Sequence, residues 1–158
     1  MKTAIIITFH NYESQIDIEA FIEYSKMISD LRLCLVNNSS SDDTFEKLSI
    51  IEKSCDNVST VNIKRFKSDL SAVRAGARFM MNKFNTAQFG FINTNLLNAQ
   101  KNELNELIRL IHYYQKELIE INTTLMNSSN QVVANLSKNQ FSLVDYLKKL
   151  QRGKLDAL

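Results

Sequence analysis

Three short polar clusters hold the side chains of this chain whose types and spacing suit chemistry. Thr8-Phe9-His10-Asn11-Tyr12-Glu13 closes an apolar run from Thr3, Asn37-Asn38-Ser39-Ser40-Ser41-Asp42-Asp43 closes one from Leu31, and Asn93-Thr94-Asn95 closes one from Phe89. An asparagine amide both donates and accepts hydrogen bonds, which suits it to grip a polar ligand. A carboxylate such as Asp42 can instead satisfy backbone N–H groups and shape a turn without touching ligand, and that structural role is the one expected of Asp42. The plainer reading of the first cluster is that His10 and Asn11 close a turn while Glu13 faces water.

Clusters in these places need strands before them and helices after them. Thr3 to Phe9 (TAIIITF) is a continuous apolar strand of the kind buried on both faces of a parallel sheet. A helix follows from Asp17, with Ile18, Phe21, Ile22 and Ile28 on one side. Leu31 to Val36 is a second strand. The next helix carries Phe45, Leu48, Ile51 and Cys55 at helical spacing, with Asp42 or Asp43 placed to cap it. Val58 to Ile63 alternates as a third strand, and Ser68 to Phe84 is a helix with Leu70, Val73, Ala77 and Met80 or Met81 inward. Phe89 to Ile92 is a short fourth strand. The order βαβαβαβ implies an α/β fold with a doubly wound, mostly parallel, Rossmann-like sheet and right-handed crossovers. In such sheets ligands bind outside the carboxyl ends of the strands, where all three clusters fall.

Composition limits the function classes. At 158 residues, 44% apolar and 23% charged, the chain is expected to be a soluble globular protein able to bury its own core. A net charge of +2 without a basic block gives no nucleic-acid footprint. Cys34 and Cys55 lack metal-ligand spacing and read as small buried hydrophobes. No apolar run reaches membrane-span length and the start is too short for a signal-peptide core, so a cytoplasmic location is expected. With no proline and three glycines, Asn and Ser must supply the loop chemistry.

VNNSSSDDT, Val36 to Thr44, resembles the second nucleotide-binding motif of the family 2 glycosyltransferases, V-D-D/N-G/A-S-x-D-x-T. The resemblance covers the stretch 1–98 and implies the nucleotide-binding half of a GT-A fold. Thr8 to Glu13 resembles the family's opening motif, P/T-x-Y/F-N-x-E, which implies that Thr8, Phe9, Asn11 and Glu13 hold the nucleotide. By the same likeness Asn38 would read the base edge. Lys64 to Ala77 (KRFKSDLSAVRAGA) is similar to N-x-G-x-x-x-A-R-x-x-G, with Ala72, Arg74 and Gly76 in register and Phe66 and Ser68 replacing its Asn and first Gly. Arg74 could then reach a diphosphate, although Lys64, Arg65, Lys67 and Arg74 could equally be solvated surface. A helical glycine costs about 1 kcal/mol against alanine, so Gly76 implies close packing against sheet or ligand.

Family members end the fourth strand in D-x-D, whose carboxylates hold Mn²⁺ or Mg²⁺ against the diphosphate. Hard cations want anionic oxygen, and neutralising the leaving group is the metal's task. Asn93 and Asn95 stand at those places, which implies a degenerate site and loss of the metal-dependent reaction. Mn²⁺ or Mg²⁺ enters only if the two amides still bind it. After Asn95 the acidic residues Glu103, Glu106, Glu117, Glu120, Asp145 and Asp156 sit in no recognisable motif for a catalytic base.

The stretch 99–158 is expected to be a helical extension. Lys101 to Leu125 reads as one long helix, with Leu104, Leu107, Ile111, Tyr114, Leu118, Ile121 and Leu125 alternating three and four apart. That heptad pattern fits either a helix lying across its own domain or a seam between chains through Leu107, Ile111, Tyr114, Leu118 and Ile121, making a homo-oligomer or holding a partner chain. Gln131 to Leu136 is a candidate short strand, and Phe141 to Leu150 a last amphipathic helix ending before Gly153. Two functions fit: a nucleotide-sugar-binding domain weakened or inactive in transfer, or a glycosyltransferase-like binding or assembly protein that oligomerises through its long helix.

Overall fold

The computed structural model describes residues 3–98, 102–120 and 140–156. Its frame is a five-stranded sheet, every pairing parallel, in the order β3-β2-β1-β4-β5. The strands are β1 (Thr3–Phe9), β2 (Arg32–Asn38), β3 (Val58–Ile63), β4 (Gln88–Asn93) and β5 (Gln140–Ser142). β1 is buried along its whole length, as a central strand covered on both faces requires. The first four strands are those expected, with two shifts at their carboxyl ends. Asn37 and Asn38 are the last residues of β2, and Asn93 is the last of β4, rather than loop.

Helices cover both faces. α1 (Ile18–Met27), α2 (Thr44–Ser54) and α4 (Glu103–Tyr113) lie over the face built by Ile5, Ile7, Leu33 and Leu35. α3 (Asp69–Phe84) covers the other, on Ala4, Ile6, Cys34 and Val36. Asp17 caps α1 by accepting from Ala20 N at 3.1 Å, and Ser68 caps α3 by accepting from Ser71 N at 3.3 Å. At Gly76 a Cβ would meet Val36 Cγ2 at 2.9 Å and Ile6 Cγ2 at 3.0 Å, so it is the sheet that demands the glycine. Leu70 does not face inward; it stands in the first turn of α3, beyond the sheet, and is exposed, while Ala72, Val73, Gly76, Ala77 and Met80 are buried.

The C-terminal part departs most from expectation. The helical pattern from Lys101 breaks at Tyr114, and a short α5 (Gln115–Ile119) follows. Leu107, Ile111, Tyr114 and Leu118 are buried in the chain's own core and have no surface to offer a second chain; Ile121 and Leu125 lie outside the described residues. The stripe is wider than a coiled-coil seam because Ile108 and Leu110 are buried too, which is how a core-facing helix differs from a two-stranded one. The expected strand at Gln131 to Leu136 also lies outside the described residues. β5 instead pairs beside β4, with the Phe141 ring 3.0 Å from where a Cβ at Gly90 would sit. The last helix, α6 (Leu143–Asp156), runs through Gly153 rather than ending before it.

Asn and Ser do supply the special turns. Positive φ occurs at Asn11, Ser39, Asn85 and Asn102 and at no glycine among the described residues. Both cysteines are free and buried. Among the described residues no helix is long and apolar enough to cross a membrane.

Candidate functional site

β1 leads through α1 to β2 on one face, whereas β3 leads through α3 to β4 on the other. The chain therefore reverses its winding between neighbouring β1 and β4, and such switch points open a crevice at the carboxyl ends. A cleft of about 50 Å³ lies there, lined by Thr8 and Phe9 at the end of β1 and His10 just after it, Asn38 at the end of β2, Phe66 and Asp69 before and within α3, and Thr94 and Asn95 after β4. It brings together Thr8, Phe9, Asn38 and Asn95 of the expected site.

The loops after β1 and β2 are clamped to one another. Asn11, at φ 49, donates its N–H to Ser40 Oγ at 2.9 Å, and its Oδ1 accepts from Ser41 N at 2.8 Å. Tyr12 N donates to Thr44 Oγ1 at 2.8 Å. The Glu13 carboxylate accepts from Asp43 N at 3.2 Å, and Lys47 Nζ donates to the Glu13 carbonyl at 2.8 Å. Asn11 and Glu13 thus have their polar atoms engaged in the loop clamp and do not line the cleft.

Asp42 takes the structural role expected of it. Its carboxylate accepts from Thr44 N at 3.0 Å, from the Thr44 hydroxyl, and from Glu13 N at 3.2 Å. Desolvation pushes the Asp42 carboxyl up, but those hydrogen bonds outweigh it and hold it below the usual carboxylate range. Asp43, the other capping candidate, makes no side-chain cap.

Asn38 is equally committed. Its Nδ2 donates to the Lys67 carbonyl at 2.8 Å and its Oδ1 accepts from Lys67 N at 3.0 Å, so the whole amide edge is paired with one peptide unit. Its own carbonyl lies 2.7 Å from His10 Nδ1, which must carry the proton because a carbonyl only accepts. His10 Nε2 is then left as the acceptor for Asn11 Nδ2 at 3.3 Å. Across the cleft mouth the His10 and Phe66 rings meet edge to face, centroids 4.7 Å apart. The amide expected to read a base edge instead fixes the loop that carries Phe66.

Asn93 and Asn95, expected at the place of D-x-D, do not fit a divalent cation. Asn93 is buried and its Oδ1 accepts from the Thr8 hydroxyl at 2.6 Å, while Thr94 Oγ1 donates to the Thr8 carbonyl at 2.7 Å. Asn95 turns its Nδ2 onto the Asp69 carboxylate, 3.2 and 3.1 Å from the two oxygens. One carboxylate and two neutral amides, one with its oxygen already paired, are a poor donor set for Mn²⁺ or Mg²⁺. Among the described residues there is no group of three His, Cys, Asp or Glu able to hold a metal. A second cavity of about 390 Å³ adjoins Asn93, between Leu97, Glu103, Ser142, Asp145 and Lys148.

Arg74 is exposed on the outer face of α3 and does not line the cleft. His10, Phe66, Asp69 and Thr94 also line it; of these His10 is expected only to close a turn, and no site role is expected of the other three. His10 sat inside the first motif and Phe66 stood out only as a departure from a pattern. Nothing in the sequence singles out Asp69, whose partner is 26 residues away.

No family model matches this chain, and no curated protein matches it. Among solved structures it is similar to S. aureus TarS 1-349, at 12% identity and TM-score 0.46 over 73% of this chain and 33% of that one. The same protein in complex with UDP gives 15% identity and TM-score 0.45, over 73% and 33%. The mannosyltransferase PcManGT from Pyrobaculum calidifontis, in complex with GDP-Man and Mn²⁺, gives 12% and 0.48 over 70% and 32%. The chain spans about a third of the length of these structures.

Proposed function

We propose that this chain is a glycosyltransferase-like domain of the GT-A, family 2 type that has given up metal-dependent sugar transfer and acts as a binding module at its switch-point cleft. The nucleotide-binding motif at Val36 to Thr44 and the position of the cleft outside β1, β2 and β4 support the glycosyltransferase-like part. One observation carries the loss of transfer. Where the family has two metal-binding carboxylates this chain has Asn93, hydrogen-bonded to Thr8, and Asn95, hydrogen-bonded to Asp69. A neutral amide cannot offset the charge that builds on a leaving diphosphate, and the Asn93 oxygen is already paired with the Thr8 hydroxyl. A nucleotide or nucleotide-sugar would meet the mouth of this cleft rather than enter it whole, since the cleft itself is about 50 Å³.

Calorimetric titration with UDP, GDP and dTDP sugars, with and without Mn²⁺, tests this reading. The expected result is that Mn²⁺ does not change the affinity for any of them and no sugar is released. Mn²⁺-dependent binding with release of the nucleoside diphosphate would overturn it.

A further inference from the structure

The loop between β3 and α3 reaches past the cleft that Phe66 helps to line. Lys64, Arg65, Phe66 and Lys67 are all exposed, although the loop itself is firmly held. Ser39 Oγ donates to the Lys64 carbonyl at 3.0 Å, Ser39 N donates to the Ile63 carbonyl at 2.9 Å, and Asn38 pairs with both backbone groups of Lys67. A loop pinned at both ends and pointing four large side chains at solvent is presenting them.

Phe66 is 62% exposed. Leu70, 40% exposed, and Leu96, 75% exposed, follow Asp69 and Asn95 in the chain, and those two are hydrogen-bonded to each other. Phe66 thus lines the cleft, while Leu70 and Leu96 each follow a residue that lines it, Leu96 also bordering the second cavity. Along the same loop and the outer face of α3 run Lys64, Arg65, Lys67, Arg74 and Arg78, all exposed. The one carboxylate in that stretch is Asp69, which faces Asn95. None of these five cations has an ion-pair partner among the described residues. The chain as a whole carries only +2, so the rest of it is net acidic and the positive charge is concentrated on this face.

We infer that this end of the sheet docks on an anionic membrane surface, with Phe66, Leu70 and Leu96 entering the headgroup region and Lys64, Arg65, Lys67, Arg74 and Arg78 lying against acidic lipids. Charge complementarity selects a polyanionic partner, and the apolar side chains select among polyanions. A single strand of nucleic acid is bound by several aromatic faces along a groove. Here Phe66 is the one exposed aromatic of the patch, its ring is in contact with His10, and Leu70 and Leu96 cannot stack on bases. Aliphatic and aromatic side chains ringed by Lys and Arg are what an interfacial lipid contact uses. The inference is independent of whether the cleft binds a nucleotide.

The test is co-sedimentation of the full chain with vesicles of phosphatidylcholine alone or containing phosphatidylserine. Binding is expected only to the acidic vesicles, and high salt should release it as the charges are screened. Each of Lys64→Ala, Arg65→Ala and Lys67→Ala should weaken partitioning by about five-fold. Phe66→Ala should weaken it by about ten-fold or more. All four residues are exposed, and an unchanged circular dichroism melt confirms that each variant is folded. Equal binding to neutral vesicles, no binding to either, or binding to acidic vesicles that these substitutions leave unchanged would each overturn the inference. So would a single-stranded oligonucleotide that binds through Phe66 while acidic vesicles do not.

Discussion

Asn38→Asp separates a side chain that waits for a ligand from one that holds the chain together. The substitution keeps the shape and replaces Nδ2 with an oxygen. One carboxylate oxygen can still accept from Lys67 N, now 3.0 Å from Oδ1; the other would face the Lys67 carbonyl at the 2.8 Å where a donor now sits. A hydrogen bond worth about 1 kcal/mol is lost and two acceptors are left confronting one another, so destabilisation of about 2 to 3 kcal/mol is expected at pH 7. For a chain of this length that is a drop in melting temperature of about 4 to 12 °C. A proton on the new carboxyl restores the donor, so its pKa in the folded variant is raised above the unfolded value of about 3.9. A raised folded pKa means stability present at low pH and lost as pH rises. The deficit should be small below about pH 4, grow through the raised pKa and be complete at pH 7. The chain has no Trp, so urea and thermal melts followed by far-UV circular dichroism between pH 4 and 8 are the assay. A variant that melts like the wild type at pH 7 would refute the clamp and return Asn38 to the role of a free amide awaiting a base.

Asp42→Asn should cost about 1 kcal/mol at neutral pH, through loss of carboxylate acceptors for Thr44 and Glu13. Because the Asp42 carboxyl is held below its ordinary range, its contribution is present above the unfolded pKa and lost as pH falls through the folded one, so the two melting curves should converge in acid. Ile111→Glu buries a charge in the core and is expected to unfold the chain; a folded variant of lower mass by light scattering would instead favour a seam between chains. Asn93→Asp together with Asn95→Asp, beside Asp69, should create a measurable Mn²⁺ site by titration calorimetry. Unchanged Mn²⁺ affinity would show that positions 93 and 95 are not the metal position.

The strand–helix alternation was legible because three of the five strands are apolar runs that end sharply in polar clusters, and β3 shows itself by alternation. Gly76 could be read because a helical glycine is costly unless something crowds it, and the shortage of glycine left the loop chemistry to Asn and Ser, which the structure places in left-handed turns at Asn11, Ser39 and Asn85. Other features depend on partners far along the chain. Asn38 looks like an available amide until Lys67, 29 residues on, pairs with it. β5 is three residues long and has no periodicity to detect; it exists because Phe141 fills the space over Gly90. The stretch from Lys101 reads as one long helix but breaks at Tyr114, and apolar spacing alone leaves open whether the covering surface belongs to the same chain.

The two thiols lie under opposite faces of the sheet. Cys34 sits beneath α3, where burial and then the Glu52 charge push it up to about 12. Cys55 ends α2, with Sγ 3.8 Å from the Ile22 carbonyl in α1, and burial raises it as well. Neither can meet an alkylating reagent until the layer above it lifts. The chain therefore carries a separate reporter in each helical layer. Their native-state labelling rates would tell whether the α3 layer and the α1/α2 layer detach together or one before the other.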